Sequence, residues 1–249
     1  MFCRTCRGPA GAGFARCYQC ELALSQAGSL LADTVAPIGY AVRGGPLARD
    51  LRSYKSDRVA TVAAAAAAAR LRELLAVFLA DRGHSVWAAA GMTARPTVAA
   101  VVPSGQGRPG AHPLAGVVRS CVELPVVRLS IVPAEVHSRS VNPRWVRVGD
   151  PVAGGDVLVV DDTWVSGGSA QSTAAALKLA GARRVAVVVL GRHVNPADPR
   201  SAVFLAATGL GDVAFRLLAQ SRLALRESAQ KLSECCPPAL GVFVMVARQ

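Results

Sequence analysis

Short apolar runs alternate with amphipathic or alanine-rich stretches along the chain, and their order predicts an α/β protein. The runs at 36–42, 97–102, 126–131, 157–160 and 185–190 are mostly apolar, the last four rich in valine, and bounded by glycine, proline or polar residues, so they read as strands. Residues 47–53, 59–81, 114–121 and 170–179 carry apolar positions at helical spacing and predict helices. The longest, 59–81, is alanine-rich and interrupted by Arg70, Arg72 and Glu73, and it presents Leu71, Leu74, Leu75 and Phe78 as the face that packs on a sheet. Strands alternating with helices argue for a parallel twisted sheet flanked by helices on both faces. A short helix with its connection is expected over 22–34. Beyond 193 the chain mixes proline and glycine breaks with one further predicted helix at 217–232. No run reaches the roughly 20 apolar residues of a membrane helix, so no membrane insertion is expected.

The densest chemistry lies between the fourth strand and the helix that follows it. Val157-Leu158-Val159-Val160 runs into Asp161-Asp162, and then into Thr163-Trp164-Val165-Ser166-Gly167-Gly168-Ser169. The small residues of 165–169 open a helix, where orphan backbone N–H groups and the helix dipole favour an anion such as phosphate. Gly167 and Gly168 let the chain approach that anion closely, and Ser166 and Ser169 add hydroxyl donors. Two carboxylates would repel phosphate but accept hydrogen bonds from vicinal hydroxyls, and a ribose 5-phosphate carries both groups at about that separation. The plainer alternative is a polar strand end beside a glycine turn.

The N-terminal stretch carries a second signal. Cys3-x-x-Cys6 and Cys17-x-x-Cys20 are two identical pairs across a glycine-containing spacer, a spacing that places four thiolates around a tetrahedral zinc ion. Arg4, Arg7 and Arg16 would offset the negative charge of such a site. Two disulfides or redox pairs are the alternative. Against it, Met1-Phe2-Cys3-Arg4 has no apolar secretory core, which predicts a reducing, cytoplasmic location. Four protein ligands leave no open position, so the metal's expected role is structural. Cys121, Cys235 and Cys236 have no partner at ligand spacing.

The strand, acidic pair and small-residue loop resemble the phosphoribosyl-pyrophosphate (PRPP) motif of type I phosphoribosyltransferases. The preceding cysteine unit makes the whole similar to the ComF-type phosphoribosyltransferase-like family of bacteria, some of whose members are linked to DNA uptake. The resemblance implies a type I phosphoribosyltransferase-like domain over 36–249 behind a zinc knuckle over 1–21. It implies that Asp161 and Asp162 hold the ribose hydroxyls, and that Val165, Ser166, Gly167, Gly168 and Ser169 hold the 5-phosphate of PRPP or another phosphorylated ribose brought in with Mg²⁺. Residues 98–103 resemble the strand leading into the pyrophosphate loop, here Pro103, Ser104 and Gly105, and 38–55 resembles the segment after the zinc knuckle. Arg139-Ser140-Val141-Asn142 resembles the Arg-x-x-Asn of the flexible loop, which assigns Ser138, Arg139 and Asn142 to the cover over the leaving group. Val165 departs from purine-specific members, which place a carboxylate there, and this argues against purine salvage. Residues 106–112 depart from the family's Arg-Gly-Phe-Asn signature on the substrate side. The expected activity is transfer of the phosphoribosyl group to an unidentified acceptor. The competing expectation is a PRPP-sensing or single-stranded-nucleic-acid-handling protein without turnover. The oligomeric state stays open, a dimer included.

Composition changes this picture little. The 249 residues are 52% hydrophobic, enough for one sizeable core and a small appendage. The formal charge of +12 is carried mostly by arginine and suits anionic partners, nucleic acid among them, although an arginine- and alanine-rich chain also follows from a GC-rich genome. Only 5% of residues are aromatic, few for a single-strand stacking surface. Gly105-Gln106-Gly107-Arg108-Pro109-Gly110 matches a dinucleotide fingerprint by spacing, but its prolines oppose the helix start that fingerprint needs. His84, His112, His137 and His193 show no metal or catalytic spacing, and no Gly-x-Ser-x-Gly elbow is present.

Overall fold

The computed structural model describes residues 2–56, 59–104, 112–133, 135 and 139–209. Gly105, the rest of the glycine-rich run to 110, Ser138 and the predicted helix at 217–232 lie outside the described residues. In chain order the strands are β1 (Thr34–Val42), β2 (Val98–Val101), β3 (Val126–Val127), β4 (Leu129–Ile131), β5 (Val146–Val148), β6 (Asp156–Trp164) and β7 (Arg184–Val194). The helices are α1 (Tyr18–Ala27), α2 (Pro46–Ser53), α3 (Thr61–Ala89), α4 (Pro113–Arg119), α5 (Gly168–Leu179) and α6 (Pro199–Thr208). Five strands form the expected parallel sheet, in the order β1-β7-β6-β2-β3, and β4 pairs with β5 in a separate antiparallel ribbon.

The continuous valine runs follow from burial on both faces. Leu158 and Val160 of β6, with Ala186, Val188 and Leu190 of β7, pack against Leu51 of α2 and Leu71, Leu75 and Phe78 of α3. The alternate residues Val157, Val159, Val185, Val187 and Val189 pack against Ala170, Ala174 and Leu177 of α5. Cys3, Cys6 and Cys20 belong to this second cluster, so the cysteine unit is seated on the α5 face of the sheet. No helix among the described residues is long and apolar enough to cross a membrane.

The differences from the sequence reading have local causes. The predicted strand 126–131 breaks at Arg128, whose backbone N–H is taken by the Asp150 carboxylate at 2.6 Å, and the halves then join different sheets. The predicted helix 59–81 runs on to Ala89, because Val86 adds another buried position to its inner face. The helix expected over 22–34 begins earlier, at Tyr18, immediately after Cys17. α6 lies in a stretch read as breaks, although Asp198 caps the Arg200 N–H at 2.9 Å, Pro199 opens the helix and Gly209 closes it at φ 66°.

Candidate functional site

β6 continues past the apolar run. It pairs with β7 at Asp161↔Val189, Thr163↔Gly191 and Trp164↔Arg192, so the acidic pair sits within the strand at its C-terminal end. Neighbouring strand residues face opposite ways, and the two aspartates have different surroundings. Asp162 is buried on the α2 side, where Tyr54 Oη donates to Oδ2 at 2.5 Å and Lys55 Nζ reaches the same oxygen at 2.6 Å. Asp161 is only partly buried, and its Oδ1 accepts the Asp162 backbone N–H at 2.9 Å. Burial, and after it the Asp162 charge, push the Asp161 carboxyl up to about 8, while Lys55 pulls the other way. Asp162 is therefore held in place as an acceptor by Tyr54 and Lys55, while Asp161 lacks such side-chain donors among the described residues.

Beyond Trp164 the chain turns sharply into α5. Gly167 is the N-cap of that helix in the left-handed region at φ 87°, and a Cβ there would stand 2.1 Å from the Trp164 ring. Glycine is thus required because the buried indole lies directly beneath the turn, in addition to any need for close approach by an anion. Ser166 Oγ accepts the Gly168 N–H at 3.3 Å, Gly168 is buried, and Val165 stands 56% exposed. Arg192, only 8% exposed, supports the turn from below. Its Nη1 donates to the carbonyls of Trp164 at 3.0 Å, Val165 at 3.2 Å and His193 at 2.7 Å. With those carbonyls turned toward the guanidinium, the junction presents the N-terminal end of a twelve-residue helix to the sheet edge that carries Asp161.

The remaining predicted residues fall into two places. Pro103 and Ser104 follow β2, the strand next to β6, and line a cavity of about 460 Å³ together with Arg119, Arg128 and Ser130. Arg139 is exposed, while Asn142 is tied down. The Asn142 N–H donates to Ser172 of α5 at 2.8 Å, its amide nitrogen donates to Glu135 at 3.0 Å, and its amide oxygen accepts the Arg144 N–H at 3.1 Å. Asn142 therefore anchors one end of its segment to α5.

The four cysteines converge. Their sulfur atoms all lie within 4.8 Å of one another, and Cys6 Sγ is 3.8 Å from Cys17 Sγ. A tetrahedral zinc–thiolate site with bonds of about 2.3 Å has sulfur–sulfur edges of about 3.8 Å, whereas a disulfide needs about 2.05 Å. None of the four is bridged, and their spacing fits a metal better than disulfides. Cys3 and Cys6 flank a turn closed by Arg7 N–H to Cys3 O at 2.9 Å, with Arg7 at φ 56°. Cys17 and Cys20 occupy the N-cap and first turn of α1, where the helix dipole favours thiolate.

The sequence reading gave four contributors no role in the site, although Tyr54 and Lys55 lie in the 38–55 segment it marked by resemblance. Tyr54, Lys55 and Arg192 are polar residues whose partners are far away in the chain, and Trp164 looked like part of the loop although it is its floor. Only pairing of β6 with β7 reveals Arg192, which stands beside Trp164 in register. No protein-family model and no curated protein matches the chain. Among solved structures, the chain is similar to orotate phosphoribosyltransferase of Mycobacterium tuberculosis H37Rv in complex with PRPP. That match has 21% identity and a TM-score of 0.33, and covers 64% of this chain and 82% of that one. A phosphoribosyltransferase from Corynebacterium diphtheriae is similar at 25% identity and a TM-score of 0.30, over 66% of this chain and 89% of that one.

Proposed function

We propose that the chain binds PRPP with its Mg²⁺ at the C-terminal edge of β6 and transfers the phosphoribosyl group to an acceptor. The observation that carries this reading is that β6 brings two carboxylates and the N-terminal end of α5 to one sheet edge, with only residues 163–167 between them. In this reading the 165–169 turn takes the 5-phosphate, and Asp161 and Asp162 accept from the ribose hydroxyls. Lys55, beside Asp162, helps to balance the charge there. Pro103 and Ser104 line the adjoining cavity on the β2 side, the side suited to the pyrophosphate. The segment through Arg139, anchored at Asn142, covers the leaving group, and its guanidinium offsets the charge that develops on the departing pyrophosphate. Mg²⁺ bound to PRPP would supply charge neutralisation at its pyrophosphate. Val165 offers no acid or base, so the acceptor must bring its own nucleophile or be deprotonated by another group.

The four-thiolate unit holds a structural zinc ion in the same reading. Cys3, Cys6, Cys17 and Cys20 are its ligands, and the metal fixes the N-terminal segment on the α5 face. Incubation of purified protein with PRPP, Mg²⁺ and candidate bases, scored by pyrophosphate release, tests the transfer. Acceptor-dependent release supports it. Saturable PRPP binding with no release from any acceptor would favour a PRPP-sensing role.

A further inference from the structure

Arg192 presents an imbalance that the phosphate turn alone does not explain. Its guanidinium is buried, it meets three carbonyl oxygens and no carboxylate among the described residues, and its Nε–H has no partner there. A buried cation without a counter-charge is costly, so an anionic partner is expected close by. The guanidinium lies against Gly8 of the cysteine unit, where a Cβ would come within 2.6 Å of its Nε, and Arg192 lines one cavity with Cys17. A divalent ion with four thiolates carries a net charge of about −2. That centre is the counter-ion the buried guanidinium otherwise lacks.

We propose that Arg192 is a positioning residue that couples the four-thiolate metal site to the anion-binding turn. The metal–thiolate charge holds the guanidinium against Gly8, and the guanidinium in turn holds the Trp164 and Val165 carbonyls away from the anion. Loss of the metal replaces one compact dianion by thiols, removes the attraction on Arg192 and loosens the turn. Gly8 is the enabling residue, since the atoms a Cβ there would meet first all belong to the Arg192 guanidinium. Coupling free energies are reciprocal, so an anion bound in the turn must also tighten binding of the metal.

The test is hydrogen exchange in reduced full-length protein, with and without metal stripping by a chelator. It compares peptides spanning 163–171 with control peptides in α3. Metal removal from the wild type should raise exchange in 163–171 at least tenfold and leave α3 unchanged. In Arg192→Gln, and in Gly8→Ala if Arg192→Gln folds poorly, the same peptides should exchange fast even with metal bound, and stripping should add nothing. Arg192→Lys should restore part of the metal dependence. A wild-type turn that does not respond to stripping, or an Arg192→Gln turn that responds as strongly as the wild type, overturns the coupling. A last arm rests on the phosphate reading: inorganic phosphate or PRPP should raise the metal's affinity, read by equilibrium competition with a chelator, at least threefold in the wild type and not in Arg192→Gln. If the turn responds to metal but neither ligand affects metal affinity or exchange, the coupling stands and the phosphate assignment fails.

Discussion

The cysteine unit and the β6–α5 junction share one face of the sheet and are built in opposite ways. The first gathers four side chains, from residues that recur at a fixed spacing, around a cation-sized centre. The second gathers backbone, through one left-handed glycine over a buried indole, toward an anion-sized one. Side chains that bind directly leave a pattern in the sequence. A backbone site depends on what lies beneath it, and here that support comes from Trp164 and Arg192. The contrast also predicts different failures: the cysteine unit should fail by losing its ligand, and the junction by losing its shape.

The largest effect is expected at the metal. Cys6→Ser should take zinc from about one equivalent per chain to none, since structural zinc contributes on the order of 10 kcal/mol to small metal-dependent folds. Emission spectrometry reads the metal, and limited proteolysis should show new cleavage within 2–21. A Cys6→Ser protein that is still protected there would contradict a metal-held unit. Next comes Gly167→Val. A β-branched side chain at φ 87° and against the indole should cost about 3 kcal/mol, from left-handed strain plus overpacking. Urea midpoints measure this, and an unchanged midpoint would mean that the indole moves aside freely.

Removal of Asp162 should be milder. Asp162→Asn leaves Tyr54 and Lys55 with a weaker acceptor and should cost about 2 kcal/mol, the scale for a buried hydrogen-bonded charge. Tyr54→Phe should cost less, and the two changes together less than their sum, because they share one hydrogen bond. Strict additivity would show that Tyr54 supports the site by packing alone.

These contrasts explain what was legible in the chain. The apolar runs of β1, β6 and β7 and the leucine face of α3 were readable because burial on both sheet faces writes mostly apolar residues along a strand. The four cysteines were readable because their ligand geometry is local. The continuation of β6 through Asp161 and Asp162 was not, since polar residues inside a strand are explained only by its partner β7. Nor was the division of labour between the aspartates, because Tyr54 and Lys55 stand more than a hundred residues away. The break at Arg128 depended on Asp150 in the same way. α6 was a missed opportunity, with Asp198-Pro199 and Gly209 standing at the positions that start and stop a helix.

A further expected effect is a pH dependence carried by Asp161. Its folded-state pKa of about 8 lies above that of an unfolded aspartate, so the folded protein holds a proton that the unfolded chain has released. Stability from this group is complete below about pH 4 and is lost as pH rises toward 8. Thermal melts of ligand-free protein should fall over that interval, and Asp161→Asn should flatten the slope. Equal slopes in the two proteins would place the titration elsewhere.

The central claim is that the β6 edge reads a phosphorylated ribose, and paired calorimetric titrations of wild type and Asp161→Asn test it most directly. Each protein is titrated with Mg²⁺–PRPP and, separately, with inorganic phosphate. The account predicts that Asp161→Asn weakens PRPP at least tenfold, because a hydroxyl acceptor becomes partly a donor, and leaves phosphate as tight as before or tighter. Parallel loss of both ligands would mean that Asp161 only maintains the turn, and unchanged binding of both would mean that the ribose lies elsewhere.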